Sequence, residues 1–469
     1  MSDPRDTIFA LSSGRLPAAI AVVRVSGPRA RDAIVSLTGR VPEPRRAALL
    51  QLKSGGHGGG KGPLGEPIDD AVVLWFPGPR SETGEDTAEF QLHGGPAVVA
   101  AVLSELGRID GVRSAEPGEF TRRAFENGKL DLTRVEGLAD LIGAETEVQR
   151  RQAFRQLKGL LGDRAEQWRQ RLTEALALVE AAIDFPDEGI DAEGVVRPAL
   201  ALARELEAEI RDLLADSSRG ERLREGLTVT IAGPVNVGKS SILNRIAKRS
   251  AAITSPHAGT TRDIVEVHLD LGGFPVTVFD TAGLRDTADP VEEEGVRRAR
   301  ARAKGSDLVL WVTDGTLPYP VSPPPDLFQS GSPPVWILVN KMDLVSEEVA
   351  PDASKCRYPG SRDGGKVYRI SAQTGASFDD LVRGVSDYAR GFFSGGAESA
   401  FVTRERHRST LKECADALYR TCVEGGGLRR EDIIAEELRL AASALGRLVG
   451  KVDVENILDV IFRDFCIGK

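Results

Sequence analysis

Leu227-Thr-Val-Thr-Ile-Ala-Gly233-Pro-Val-Asn236-Val-Gly238-Lys239-Ser240 runs straight into Ser241-Ile-Leu-Asn-Arg-Ile-Ala-Lys-Arg249. The first six residues are apolar and β-branched, as in a buried strand, and the last nine have helical spacing. Between them stands GxxxxGKS, in the strand–loop–helix setting this motif requires. In such a loop the backbone N–H groups turn inward at a helix N-terminus and cradle phosphate oxygens. Lys239 then places a point charge on the β- and γ-phosphates, and the Ser240 hydroxyl can ligate Mg²⁺. A plain glycine-rich turn would need neither the strand nor the helix.

Three further elements follow in order. Asp280-Thr281-Ala282-Gly283 ends the run FPVTVFD, where a carboxylate can reach the metal and a glycine N–H the γ-phosphate. Asn340-Lys341-Met342-Asp343 ends VWILVN, and Asp343 can accept two hydrogen bonds from guanine N1–H and the 2-amino group. Adenine offers no such pair and would leave the acid unmatched. Ser371-Ala372-Gln373 follows Val367–Ile370 and can give a backbone N–H to guanine O6. Together these resemble the GTPase signature set, with Asn236, Val237, Gly238, Lys239, Ser240 and Ser241 as its phosphate loop. Leu284 occupies the place where Ras-like enzymes carry a water-orienting glutamine, so catalysis needs another source. The Asn236 side-chain carbonyl, beside backbone carbonyls of Ser255-Pro256-His257-Ala258-Gly259-Thr260-Thr261, can hold a monovalent cation in the role of an arginine finger. The simpler reading of Asn236 is a turn residue. Glu292, Glu293 and Glu294 form an acidic stretch able to align water; the latter two read as a helix N-terminus favoured by the macrodipole.

Working outward, LTVTIAG, FPVTVFD, DLVLWVTD and VWILVN alternate with helical stretches, which predicts a parallel sheet covered on both faces. Upstream, Leu138, Leu141 and Ile142, then Leu172, Leu176, Val179 and Ile183, have helical spacing. Asp184-Phe185-Pro186 is expected to stop that second helix and Pro198 to open another. Leu438, Ala441, Ala442, Leu445 and Leu448 repeat the pattern near the end. Neither stripe can be buried alone, so the α/β segment is expected to interrupt a helical domain whose halves pack together. Residues 1 to about 128 read as mixed α/β, with strands at Ala18–Val25, Ala71–Phe76 and the alternating Ala88, Phe90, Leu92. The fold class is therefore multidomain: an α/β N-terminal domain, an all-α helical domain, and an inserted P-loop, Ras-like α/β domain. With 469 residues, about three domains are expected. The 61 Lys and Arg against 70 Asp and Glu leave a net charge of −9, which excludes coating nucleic acid by bulk charge. The four cysteines are too scattered for a disulfide framework. The polar, acidic start and the lack of any ~20-residue apolar run predict a cytoplasmic protein without membrane attachment.

The chain ends Phe465-Cys466-Ile467-Gly468-Lys469, which on composition alone is a frayed tail with a chance thiol. Joined to a GTPase segment set within helices, it resembles the MnmE (TrmE) family of tRNA modification GTPases. Asp6-Thr7-Ile8, Arg24-Val25-Ser26-Gly27, Thr83-Gly84-Glu85-Asp86, His93-Gly94-Gly95, Gly118–Phe125 and Asn127–Leu132 are similar too, so the likeness covers the whole chain. The resemblance implies a folate-binding, dimerising domain over 1–128, helical halves over 129–222 and 389–469, and a GTPase domain over 223–388. It implies 5-formyltetrahydrofolate or a related folate at Arg24, Glu89, Lys129 and Lys469. It implies K⁺ at Asn236, Ser255, His257 and Thr260, Mg²⁺ at Ser240 and Thr261, and a water-aligning Glu292. It also implies a homodimer that joins the FAD- and NADH-using MnmG in a heterotetramer or larger assembly. Together they would install an aminomethyl or carboxymethylaminomethyl group at C5 of the tRNA wobble uridine (U34), with Cys466 a functional residue. SAQ stands where SAK or SAR is common, and Ser255 where threonine is frequent. The alternative is a regulatory GTPase of the ribosome-assembly type; the Cys466 tail and the N-terminal motifs argue against it.

Overall fold

The strand runs of the first 130 residues assemble into one sheet in the computed structural model. It describes residues 6–55, 65–184, 192–215, 217–249, 265–280, 301–317, 322–325, 332–345, 366–393, 401–424, 431–452, 458, 461–462, 465 and 468. β1 (Thr7–Leu11), β2 (Ala18–Ser26), β3 (Ala48–Lys53), β4 (Pro67–Phe76), β5 (Thr87–Gly94) and β6 (Val112–Ser114) lie in the order β3-β4-β5-β2-β1-β6. Only the β1–β6 pair is parallel. α1 (Ala30–Thr38) and α2 (Pro96–Leu106) share a core with Val23, Val25, Val73, Trp75, Phe90 and Leu92 on one face. On the opposite face Ile8 and Ala10 pack with Ala115 and with Phe120 of α3 (Glu119–Glu126). The period of two therefore sends Arg24 and Glu89 to this second face, since Ala10 pairs with Arg24 and Arg24 with Glu89.

The helical elements are α4 (Leu132–Gly143), α5 (Glu147–Leu157), α6 (Gly162–Asp184), α7 (Ala192–Ala215) and α8 (Ser217–Glu225). α9 (Lys239–Arg249), α10 (Phe378–Phe393), α11 (Glu405–Glu424) and α12 (Glu431–Val449) follow. α6 packs along α12, joining segments from either side of the inserted sheet. Its buried stripe is Ala165, Trp168, Leu172, Ala175, Val179 and Ala182; Ile183, expected inside, is exposed, as is Ile142 of α4. Leu172 and Val179 are buried as expected, and Ala182 takes the inward place beside Ile183. α7 departs from expectation as well. It begins at Ala192, and Pro198 lies inside it, removing the hydrogen bond to the Gly194 carbonyl but not ending the helix. α6 is described as far as Asp184, and Phe185 and Pro186, expected to stop it, lie outside the described residues.

β7 (Leu227–Ala232), β8 (Val265–Leu271), β9 (Phe274–Asp280), β10 (Leu308–Asp314), β11 (Val335–Asn340) and β12 (Val367–Arg369) form the second sheet, in the order β12-β11-β10-β7-β9-β8. All pairs are parallel except β8 with β9. Val229, Ile231, Leu310, Val312 and Leu338 face α9 and α10, while Val309, Trp311, Ile337 and Val339 pack with Ala303 on the other side. From β7 the chain goes first to β8 and β9 on one flank and then to β10 on the other. The end of β7 is thus the topological switch point, where open α/β sheets bind ligands.

Two compact units divide the chain. One is Met1–Ala139 with Gln156–Glu207 and Glu413–Lys469; the other is Asp140–Arg155 with Ala208–Lys412. Among the described residues no helix is long and apolar enough to cross a membrane.

Candidate nucleotide site and the N-terminal motif cluster

The GxxxxGKS loop leaves the end of β7 and closes at the first turn of α9. Asn236 takes a left-handed backbone at φ 61°, a conformation asparagine tolerates better than most residues. Lys239 is buried, and its Nζ donates to the carbonyls of Gly233 at 3.2 Å and Pro234 at 2.8 Å. Burial pulls its pKa below the ordinary lysine value against the opposing pull of Asp280. At the neighbouring strand end, Ser240 Oγ donates to Asp280 Oδ2 at 2.5 Å, while Asp280 Oδ1 is buried without a hydrogen-bond partner among the described residues. A hydroxyl beside a carboxylate with an unmatched oxygen is a hard-oxygen donor set suited to Mg²⁺.

The base side is built from the ends of β10, β11 and β12. Asn340 is almost fully buried; its Nδ2 donates to the Val237 carbonyl at 2.8 Å, and its Oδ1 accepts from the Ala372 N–H at 2.9 Å. One side chain thus ties the phosphate loop to the SAQ loop. Ser371 Oγ donates to Asp343 Oδ1 at 2.5 Å and accepts from the Thr374 N–H at 3.0 Å. Lys341, left-handed at φ 65°, places Nζ 2.6 Å from Asp314 Oδ2. Burial alone would raise the Asp314 pKa, but Lys341 and Thr316 outweigh it and hold the carboxyl below its ordinary value.

In the first unit the sequence motifs converge on the α3 side of the sheet. Arg24 Nε and Nη2 donate to Glu89 Oε1 at 3.0 and 2.9 Å, Nη1 lies 2.7 Å from Glu82, and the guanidinium sits 5.9 Å from the Phe120 ring centre. Ser26 Oγ meets Thr83 Oγ1 at 2.7 Å and Glu85 Oε2 at 2.8 Å. Arg123 bridges Glu85 and Glu119, and Arg113 bridges Glu119 and Asp6. Asn127 Nδ2 donates to the Thr83 carbonyl at 2.8 Å, which brings the half-buried Lys129 beside Gly84. Five separated motifs, those at 6–8, 24–27, 83–86, 118–125 and 127–129, thereby form one polar network.

Residues 132–466 match the family described as the MnmE helical domain, and residues 7–129 the one described as the GTP-binding protein TrmE N-terminus. The tRNA modification GTPase MnmE of Rhodopseudomonas palustris is 55% identical over 463 residues, covering 99% of either chain. That of a Bradyrhizobium species is 53% identical, covering 99% of this chain and 100% of its own. The chain belongs to the MnmE (TrmE) family. Among solved structures, a point variant of Aquifex aeolicus Era bound to GDP.AlF4⁻ aligns with 40% of this chain and 66% of its own, at 23% identity and TM-score 0.28.

Within this MnmE-family chain the described residues include Asn236, Val237, Gly238, Lys239, Ser240, Ser241, Asp280, Asn340, Lys341, Asp343, Ser371, Ala372 and Gln373. Arg24, Glu89 and Lys129 are described too. Ser255, Pro256, His257, Ala258, Gly259, Thr260, Thr261, Thr281, Ala282, Gly283, Leu284, Glu292, Cys466 and Lys469 lie outside the described residues. Sequence reading overlooked Asp314 and Arg245. Asp314 stands at the end of a read strand, the position that held Asp280 and Asn340, and that was its available signal. Arg245 gave none, because its partners are carbonyls 127 and 128 residues away.

Proposed function

We propose that this chain hydrolyses GTP and that its cycle drives modification of the tRNA wobble uridine at C5, in the cytoplasm, as a homodimer working with the flavoprotein MnmG. The observation that carries the hydrolytic half is the placement of Lys239, Ser240, Asp280, Asp343 and Ser371 at the carboxyl ends of one parallel sheet, with Asn340 fixing the base end to the phosphate loop. Lys239, already stripped of much of its water, neutralises β- and γ-phosphate charge more strongly than an exposed lysine would. Asp343, held by Ser371, accepts from the guanine edge. Ser240 and Asp280 hold Mg²⁺, joined by Thr261; Asn236, with Ser255, His257 and Thr260, holds K⁺. These ions supply positive charge where negative charge develops in phosphoryl transfer. Glu292 aligns the attacking water.

The folate half of the proposal rests on the donor set in the N-terminal network. Glu89 can accept from pterin N–H groups, and Arg24, Lys129 and Lys469 can meet pterin oxygens or a carboxylate tail. Cys466 serves the modification step beside that folate, and FAD belongs to the partner. The test is nucleoside analysis of tRNA from cells lacking the protein. The 5-substituted wobble uridines should vanish and return when the gene is restored. Unaltered uridines in the deletion would overturn the proposal.

A further inference from the structure

Arg245 lies on α9, six residues beyond the phosphate-loop lysine, and reaches across to the loop after β12. Its Nε donates to the Ala372 carbonyl and its Nη2 to the Gln373 carbonyl, both at 2.6 Å. The guanidinium sits 5.9 Å from the ring centre of fully buried Phe378. Its third nitrogen occupies the space a Cβ on Gly375 would fill; Gly375 is left-handed at φ 89°, and its N–H closes the loop onto the Ser371 carbonyl at 2.8 Å. We propose that Arg245 is the positioning residue that sets the guanine-reading loop, an assignment that rests on the GTP reading above.

In a trans peptide the C=O and the next N–H point in opposite directions. Holding the Gln373 carbonyl on Arg245 turns the Thr374 N–H the other way, onto Ser371 Oγ at 3.0 Å. That hydroxyl, its lone pair engaged, donates its proton to Asp343 Oδ1 at 2.5 Å. Arg245 therefore reaches the guanine-reading carboxylate through one peptide and one hydroxyl. Holding the Ala372 carbonyl likewise turns the Gln373 N–H away from α9. Gln373 brings no charge of its own, so the cation that organises this loop comes from another element. Because α9 starts at Lys239 and Ser240, the same helix fixes the phosphate end, and Arg245 sets the base reader at a fixed distance from it. Two adjacent carbonyls need two N–H groups in a rigid fork, which lysine cannot supply.

The test uses the full chain, with affinities for GTP and for ITP, which lacks the 2-amino group that Asp343 would accept from. For Arg245→Ala, GTP should bind about tenfold more weakly, and the preference for GTP over ITP should fall at least about threefold, since charge-assisted hydrogen bonds are among the strong ones. Turnover at saturating GTP should stay within about twofold of wild type, because the loss is in ground-state base binding. Arg245→Lys should recover only part of the preference, and it gives the same readout if the alanine variant does not fold. If the thermal midpoint drops but GTP and ITP weaken together with their ratio intact, Arg245 is a packing residue and the proposal fails. A wild type with no preference for GTP over ITP would instead overturn the guanine reading itself.

Discussion

Asp343 commits one carboxylate oxygen to Ser371 and keeps acceptor capacity for a base. Asp343→Asn puts an amide donor where guanine also presents donors. GTP affinity should fall about ten- to hundredfold, the range for an unmatched hydrogen-bonding group. Xanthine carries a carbonyl at C2, so XTP should lose far less, and competition titrations with the two nucleotides would reveal the change. Parental GTP affinity would move the guanine reader elsewhere. Glu119 makes a different kind of argument. Its side chain is 5% exposed between Arg113 and Arg123. Burial pushes its pKa up, but the Arg113 bond, the Glu116 N–H and Arg123 outweigh it and leave it below the usual carboxylate value. A depressed carboxylate contributes stability that is complete above its unfolded pKa of about 4.3 and is lost as pH falls through the folded value. Glu119→Gln should therefore destabilise the protein at pH 7, on the order of 3 kcal/mol for breaking a buried pair. The gap from wild type should narrow as pH falls below the unfolded pKa of about 4.3. A gap constant with pH in denaturant melts would mean that the charge is not what matters.

At the scale of elements, α6 and α12 pack together, and the faces they bury mix alanines (Ala165, Ala175 and Ala182 on one helix, Ala435, Ala441 and Ala444 on the other) with large side chains such as Trp168, Leu172, Leu438 and Leu445. Ala441 is fully buried. Ala441→Leu adds volume at a fully buried position and should cost about 1–3 kcal/mol, read as a lower denaturation midpoint with an unchanged slope. A neutral result would mean that a cavity accepts the side chain. The stripe read from sequence holds at Leu172 and Val179, which are fully buried, and fails at its end, where Ala182 is buried and Ile183 is 39% exposed. The second sheet was far more legible, because strands covered on both faces are continuously apolar: Phe274–Asp280 and Val335–Asn340 are strands with the bounds the sequence suggested. β8, Val-Glu-Val-His-Leu-Asp-Leu, an antiparallel edge strand, carries the alternation of a half-buried strand and was overlooked. β1 spans only five residues between polar neighbours, too short a run to stand out. In the site, Lys239, Ser240, Asp280, Asn340 and Asp343 were legible because strand ends and fixed spacing mark them. Arg245 and the Arg123–Glu85 and Arg113–Asp6 bridges depend on folding distant segments together, which spacing does not encode.

At the scale of the whole molecule, positions far apart in the chain, Ser12 and Gly468, meet. Ser12 Oγ donates to the Gly468 carbonyl at 2.8 Å across 456 positions of sequence. Just upstream, Phe462 and Phe465 pack with Val135, and Arg122 lies over the Phe462 ring. Phe462, Phe465 and Gly468 are thereby held to the rest of this unit; Cys466 lies between them, outside the described residues. Gly468 is left-handed at φ 97°, and a Cβ there would overlap the Leu11 carbonyl oxygen. Gly468→Ala would meet that clash and also a left-handed backbone, which alone costs on the order of 1–2 kcal/mol. The anchored fraction of the tail should drop about tenfold or more. The nucleotide site is built in the other compact unit, so GTP hydrolysis should persist at close to the parental rate. If the tail delivers Cys466 and Lys469 to folate chemistry, modified wobble uridine should fall steeply in cells carrying only this variant. Cys466→Ser should do the same without disturbing the anchor. Parental modification in both variants would reduce the tail to packing. Loss in Cys466→Ser alone would mean that the thiol acts but that the Gly468 anchor is not what positions it.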